Sequence, residues 1–143
     1  VVAADDPSMH SSQNEQDSRF YGKFSFIPVF EPSSQQEAYE MVQEAFEFSE
    51  RHGIPVLMRL TTRMAHSRAV VEVREPKAQN ELHYPAQTRQ WVLMPGNSRN
   101  RYKKLLEEYA ACEREAVESR FNPCTEGSDT SMGIIAWASA TTT

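Results

Sequence analysis

The sequence predicts an α/β fold, a partial parallel sheet flanked by helices. Three observations carry this expectation. A segment with helical apolar spacing, 34–52, starts on a capping pattern and ends at a glycine. An apolar run, IPVLMRL at 54–60, follows it after a turn of one or two residues. A further apolar run, VVAA at 1–4, leads into a long polar loop. Strand and helix joined so tightly form the unit from which parallel sheets are built. An apolar run without polar alternation is the pattern of a strand covered on both faces.

Taken in order, VVAA reads as a short buried strand. Residues 5–25 show no sustained period and read as a loop with one helical turn around 14–20. FIPVF at 26–30 is apolar and β-prone, but Pro28 removes a ladder donor, so the strand is short or lies at an edge. Pro32 and the pair Ser33, Ser34 open the clearest helix. Ser34 and Glu37 match a capping box, in which each side chain satisfies a free backbone donor of the first turn. Ala38, Met41, Val42, Ala45 and Phe46 make its core-facing stripe. Gly53 takes the left-handed position beyond the last turn, where a Cβ is penalised.

TTRMAHSR at 61–68 lies just past the carboxyl end of the strand at 54–60, the edge of an open α/β sheet at which ligands bind. Between 69 and 97, Pro76, Pro85 and Pro95 interrupt the pattern; VVEV reads as a short strand, and Trp91, Val92 and Leu93 as packing onto the body. Ser98 caps a long helix with Tyr102, Leu105, Leu106, Tyr109, Ala116 and Val117 on one face and Glu107, Glu108, Glu113 and Glu115 on a solvated one. The expected divisions are 1–68, a βαβ body; 69–97, an excursion or linker; 98–121, the long helix; and 122–143, a linker running into a strand, MGIIAWASATTT. So small a sheet, opening on a bare strand, is expected to be a piece of a larger enzyme.

The chain's 143 residues suffice for one ordinary domain. Its net charge of −5, without a basic stripe and interleaved aromatics, argues against general nucleic-acid binding. The longest apolar runs are too short to cross a bilayer, and the first residues have neither the basic nor the long apolar region of a signal peptide. Cys112 and Cys124 read as free thiols of a reducing cytoplasm. They fall short of the four ligands of an iron–sulfur cluster. His10, His52, His66 and His83 show no metal-ligand spacing with each other or with the cysteines. Any redox metal centre is therefore expected outside this chain.

Two strings are long and particular: DDPSMHSSQNEQDSRFYGKF, leading to FIPVFEP, and AFEFSERHGIPVLMRLTTRMAHSR. They resemble the α subunits of indolepyruvate:ferredoxin oxidoreductases, a family of the thiamine-diphosphate-dependent 2-oxoacid:ferredoxin oxidoreductase superfamily. The resemblance runs from Val1 to about Asn122, and MGII is similar to the first strand of a following transketolase-C-like domain. The related pyruvate enzymes carry a shorter GDHSD-like stretch in place of DDPSMHSSQNEQDSR and an FRTSH-like stretch in place of TRMAHS. That parallel places both loops on the active-site side.

The resemblance implies that residues 1–68 are part of the C-terminal half of a thiamine-diphosphate-binding module of the pyrimidine-side (PYR) type. It implies an enzyme that uses thiamine diphosphate with magnesium and 4Fe-4S clusters. Such an enzyme oxidatively decarboxylates aryl 2-oxoacids, indolepyruvate among them, to aryl-acetyl-CoA, with coenzyme A as acceptor of the acyl group and ferredoxin as acceptor of the electrons. A β subunit would accompany it. The carboxylate that tautomerises the aminopyrimidine is expected in a preceding segment, and the diphosphate motif and the clusters further downstream. Alone, the chain is then expected to be inactive, to bind thiamine diphosphate weakly or not at all, and to self-associate through strand edges and apolar helix faces.

Within the first loop, Gln13, Asn14, Asp17 and Arg19, with Glu15 and Gln16, form the polar heart. They are expected as a lid over the thiazolium and substrate; the other readings are a surface loop held by its own hydrogen bonds, or a subunit contact. After the strand at 54–60, Arg63 with Thr61 and Thr62 offers a guanidinium for a carboxylate and hydroxyls for a keto oxygen. Equally, Thr61 and Thr62 cap the next turn and Arg63 pairs with Asp5 or Asp6. His66 is a candidate proton relay, although a structural imidazole is the favoured reading. Asp5 and Asp6 serve as turn caps in the simpler account. No residue is assigned a catalytic step. The alternative class of function is a non-catalytic interaction or scaffold module that retains the fold, with these loops facing a partner protein.

Overall fold

A computed structural model describes residues 1–129 and 131–136. Three strands, β1 (Val2–Asp5), β2 (Val29–Phe30) and β3 (Leu57–Thr61), form a parallel sheet in the order β1-β3-β2. Helices α1 (Arg19–Ser25), α2 (Gln35–His52), α3 (Thr62–His66) and α4 (Pro95–Glu118) flank it, with a 3-10 turn at Thr88–Trp91. The α/β class and the partial parallel sheet are those the sequence predicts. β3 is the central strand, and Leu57, Met58 and Arg59 are buried in it. In the register of β1 and β3, Ala3 lies opposite Arg59 and Asp5 opposite Thr61. The two strands therefore end level, and the loops that leave them start on one side of the sheet.

Local chemistry explains α2. The Ser34 hydroxyl accepts the Glu37 amide at 3.2 Å, as the capping pattern predicts. The Glu37 carboxylate turns back to the amide and hydroxyl of Ser33, one residue before the position the pattern names. Gly53 closes the helix at φ 61°, where a side chain would be strained. The buried stripe is rotated from the one expected. Met41 and Phe48 are buried, whereas Val42 is exposed and Phe46 is 72% exposed. Among the described residues the sheet has three strands, and α2 meets it along one narrow face. Phe48 fills it, edge-on to Phe30 at 5.7 Å, in a core with Val56 and Cys112.

Several other expectations are corrected. β1 is an open edge, not a buried strand: Val1 and Val2 are exposed. The helical turn expected at 14–20 instead begins at Arg19 as α1. α1 rests on β2 through Gly22, where an added Cβ would stand 2.1 Å from Val29 Cγ2. Residues 62–66 are helical. VVEV forms no strand. The segment around it lies along α2 instead. The Glu72 amide donates to Gln36 Oε1 at 2.8 Å, the Arg74 amide to the Tyr39 hydroxyl at 3.1 Å, and Lys77 pairs with Glu47.

Trp91, Val92 and Leu93 are exposed rather than packed. α4 starts at Pro95, with Met94 as its N-cap in place of Ser98. Tyr102, Leu106 and Val117 are exposed, and Cys112 is the buried residue of the helix. Glu108 and Glu115, expected in water, face α2 and bond to His52. Of the terminal MGIIAWASATTT, residues 132–136 form no strand, and 137–143 lie outside the described residues. Cys112 and Cys124 are both free thiols.

Candidate functional site

The candidate site is the carboxyl edge of β1 and β3, and it is organised by two adjacent aspartates. Asp6 is 2% exposed and holds the first half of the loop. Its carboxylate accepts the amides of His10 at 2.9 Å, Ser11 at 2.6 Å and Ser12 at 2.7 Å. Three amides aimed at one carboxylate, that of Ser11 foremost, hold its pKa far below the ordinary value. Its carbonyl oxygen also accepts the amides of Met9 and Gln16. The expectation that an aspartate caps this turn is met by Asp6.

Asp5 holds the second half. Its carboxylate accepts the Ser18 amide at 2.6 Å, the Ser18 hydroxyl, and Nε of Arg59 at 2.5 Å. Burial works to raise its pKa, but the bonds from Ser18 and Arg59 outweigh it and the value is lowered. Arg59 is 2% exposed. Its remaining nitrogens reach Glu31 Oε1 at 2.5 Å and Asp17 Oδ1 at 3.8 Å. One guanidinium thus joins β1, the loop and the residue following β2. Asp17 is itself gripped by Arg19, through Nε at 2.8 Å and a second nitrogen at 2.5 Å. The Arg19 bond, with lesser help from Arg59, brings Asp17 down to about 2.

These placements separate the sequence candidates into two sets. Asp17 and Arg19 are engaged in the ion cluster. Gln13 and Asn14 are exposed at the turn between the two anchored halves. Thr61 caps α3, accepting the Met64 amide at 3.4 Å, while the Thr62 hydroxyl donates to the Asp5 carbonyl at 3.1 Å and ties α3 to the start of the loop. Arg63 and His66 are exposed. Arg63 does not take Asp5 or Asp6 as partner; Arg59 occupies that position beside Asp5.

Sequence reasoning missed Arg59. The signal was available: a lone cation inside the apolar run 54–60, on the strand adjacent to two aspartates. A cleft of about 490 Å³ opens along β1, lined by Ala3, Ala4, Asp5, Glu15, Gln16, Asp17, Ser18 and Tyr21.

The edge offers donors and cations, and its anchored carboxylates are already hydrogen-bonded. With pKa values lowered by their partners, Asp5, Asp6 and Asp17 stay ionised at neutral pH and do not serve as general acids. Among the described residues no group of three or more His, Cys, Asp or Glu side chains could hold a metal ion. No helix among the described residues is long and apolar enough to cross a membrane.

The fold is thus of the α/β class, a short parallel sheet flanked by helices with two polar loops at its carboxyl edge, the edge at which ligands bind in open α/β sheets. Comparison with curated proteins gives the relationship. The chain is 43% identical over 141 residues to the indolepyruvate oxidoreductase subunit IorA of Methanothermobacter thermautotrophicus. It is 42% identical over 138 residues to that of Archaeoglobus fulgidus and 44% identical over 143 residues to that of Pyrococcus abyssi. Each match takes in 95% of this chain and 22% of the relative. The resemblance read from the sequence therefore stands: the chain is a relative of IorA, an oxidoreductase subunit, and spans about a fifth of its length. No family model and no solved structure matches the chain.

Proposed function

We propose that the chain is part of the pyrimidine-side cofactor module of a 2-oxoacid:ferredoxin oxidoreductase, and that its two polar loops border the active site. The complete subunit, with its β partner, would oxidise aryl 2-oxoacids such as indolepyruvate to aryl-acetyl-CoA in the cytoplasm, passing electrons through 4Fe-4S clusters to ferredoxin. The observation that carries this reading is identity of 40–44% to IorA subunits across 95% of the chain. The level ending of β1 and β3 supports it, since the loops at Asp6 and Thr62 then face one common space.

Thiamine diphosphate, when bound, supplies the nucleophilic carbon that attacks a keto group. The residues here fit its border rather than its grip. The buried carboxylates of Asp5 and Asp6, with Asp17, are engaged by their partners, so the group that activates the aminopyrimidine would come from another segment, as would the ligands of magnesium and of the clusters. This chain's own part is to bind and orient. Arg63, exposed two residues past β3, is suited to the substrate carboxylate. Gln13 and Asn14 present amide donors for the keto oxygen, and His66 presents an imidazole at the end of α3. The 143 residues alone would lack activity and bind thiamine diphosphate weakly. They would self-associate through the β1 edge and the exposed Phe20 and Phe24 of α1.

The test uses the full subunit with its β partner, assayed for indolepyruvate-dependent viologen reduction with coenzyme A. Arg63→Met should raise KM for indolepyruvate about tenfold or more while leaving the thermal midpoint unchanged. An unaltered KM would remove Arg63 from the site, and absence of any thiamine-dependent turnover in the wild type would remove the reading.

A further inference from the structure

We infer that Asp17 and Ser18 form a pin that sets the geometry of the 6–18 loop against the buried Arg59, making them positioning residues for whatever the turn at 13–16 contacts. The inference takes from the proposed function only the placement of that turn beside the substrate. Its physical basis is independent of it.

The loop departs from β1 at Asp6 and returns to the sheet at Ser18. Its departure is fixed locally, by the amides of residues 10–12 on the Asp6 carboxylate. Its return is fixed by a different set of groups. The amide and hydroxyl of Ser18 both donate to Asp5, whose other bond is to Nε of Arg59. Asp17, one residue earlier, faces another nitrogen of the same guanidinium at 3.8 Å and is held by Arg19 through both carboxylate oxygens. Arg59 cannot follow a moving loop. It is 2% exposed, sits in the central strand, and is tied at its far side to Glu31. The guanidinium is thus a fixed reference, and the loop is registered to it through two consecutive residues.

Gln13, Asn14, Glu15 and Gln16 lie between the two anchors and are exposed. Their backbone is tied to the anchors through the Gln16 amide, which donates to the Asp6 carbonyl at 3.4 Å. The position of these side chains is consequently set by the anchors. Releasing the pin should free the turn and leave the sheet intact, because Arg59 keeps Asp5 and Glu31.

The test compares Asp17→Asn, Ser18→Ala and the conservative Asp17→Glu in the full subunit with its β partner. Amide hydrogen exchange is read on peptides covering 10–18 and on the strands 2–5 and 57–61. Steady-state constants for indolepyruvate are read in parallel. In Asp17→Asn and Ser18→Ala, exchange of the bonded amides of Gln16 and Ser18 should accelerate about tenfold with the strands unchanged, and KM should rise more than kcat falls. Asp17→Glu should restore most of the KM. Unchanged exchange in both variants overturns the pin. Accelerated exchange with unchanged kinetics upholds the pin and overturns the placement of the turn at the active site.

Discussion

Nε of Arg59 lies 2.5 Å from Oδ2 of Asp5, a bond between the central strand and its neighbour with both side chains buried. Arg59 and Ala3 are register partners, so the guanidinium extends two residues along β1 to reach Asp5 at the strand's end. Fixing an arginine in this place costs desolvation, and good geometry with several partners is what repays it. Here Asp5, Glu31 and, more loosely, Asp17 converge on it.

Removing the cation alone should therefore be severe. Arg59→Met leaves Asp5 and Glu31 without their counter-ion, Asp17 keeping Arg19, and is expected to cost about 3–5 kcal/mol of unfolding free energy. Arg59→Lys should be intermediate, since an ammonium cannot span Asp5 and Glu31 as the guanidinium fork does. Urea unfolding of the three proteins ranks them. A loss below about 1 kcal/mol in Arg59→Met would show that the cluster is not what joins the strands.

Acid should loosen the same cluster. Asp17 falls from 3.8 to about 2 in the folded chain, and Asp5 is also lowered. A depressed folded pKa means that the unfolded chain binds more protons, so the contribution is present above the unfolded value and is lost as pH falls through the folded one. For Asp17 the window runs from 3.8 down to about 2. Carboxylate titration followed by NMR should place Asp17 well below the ordinary Asp value, near 2. An Asp17 that titrates at the ordinary value would contradict its pairing with Arg19.

The second titratable contact lies between α2 and α4. His52 Nδ1 is 3.2 Å from Glu108 and Nε2 2.8 Å from Glu115, while Arg51 also pairs with Glu115 and, at 3.1 Å, with Glu44. Burial favours the neutral ring, but the bonds to Glu115 and then Glu108 prevail and raise the pKa above 6.5. A raised folded pKa gives stability that is complete below 6.5 and is lost as pH rises through the folded value. Docking of α4 should therefore weaken toward alkaline pH. His52→Gln should cost about 1 kcal/mol near pH 6 and less near pH 9. A penalty independent of pH would mean that packing on Phe48, 4.4 Å from the ring, is the whole contribution.

The parts legible in the sequence were those decided by neighbours along the chain. Ser34, Glu37 and Gly53 bound α2 because caps are local chemistry. The short second strand followed from Pro28. Contacts between distant segments were not legible. Which of Phe46 and Phe48 is buried depends on where three strands stop, and a helical period alone does not place that margin. Glu108 and Glu115 look solvated until His52, more than fifty residues earlier, is brought beside them. At the candidate site the two loops were legible as polar strings after apolar runs. Arg59 was hidden because a cation in a buried strand is intelligible only through the carboxylates that meet it across the sheet.

Gly22 offers a test of how closely α1 is seated. In an exposed helix, alanine would be favoured over glycine by about 1 kcal/mol. Here the added Cβ would stand 2.1 Å from Val29 Cγ2 and 3.2 Å from the Ile27 carbonyl oxygen. Overlap of that size forces α1 away from β2, and Gly22→Ala is expected to destabilise by about 1–3 kcal/mol despite the better helix former. Shortening the obstructing side chain should relieve part of this. In a double-mutant cycle, the loss in Gly22→Ala combined with Val29→Ala should be smaller than the sum of the single losses. Additive losses would place the clash at the Ile27 carbonyl, and a stabilising Gly22→Ala would show that α1 is not seated on β2.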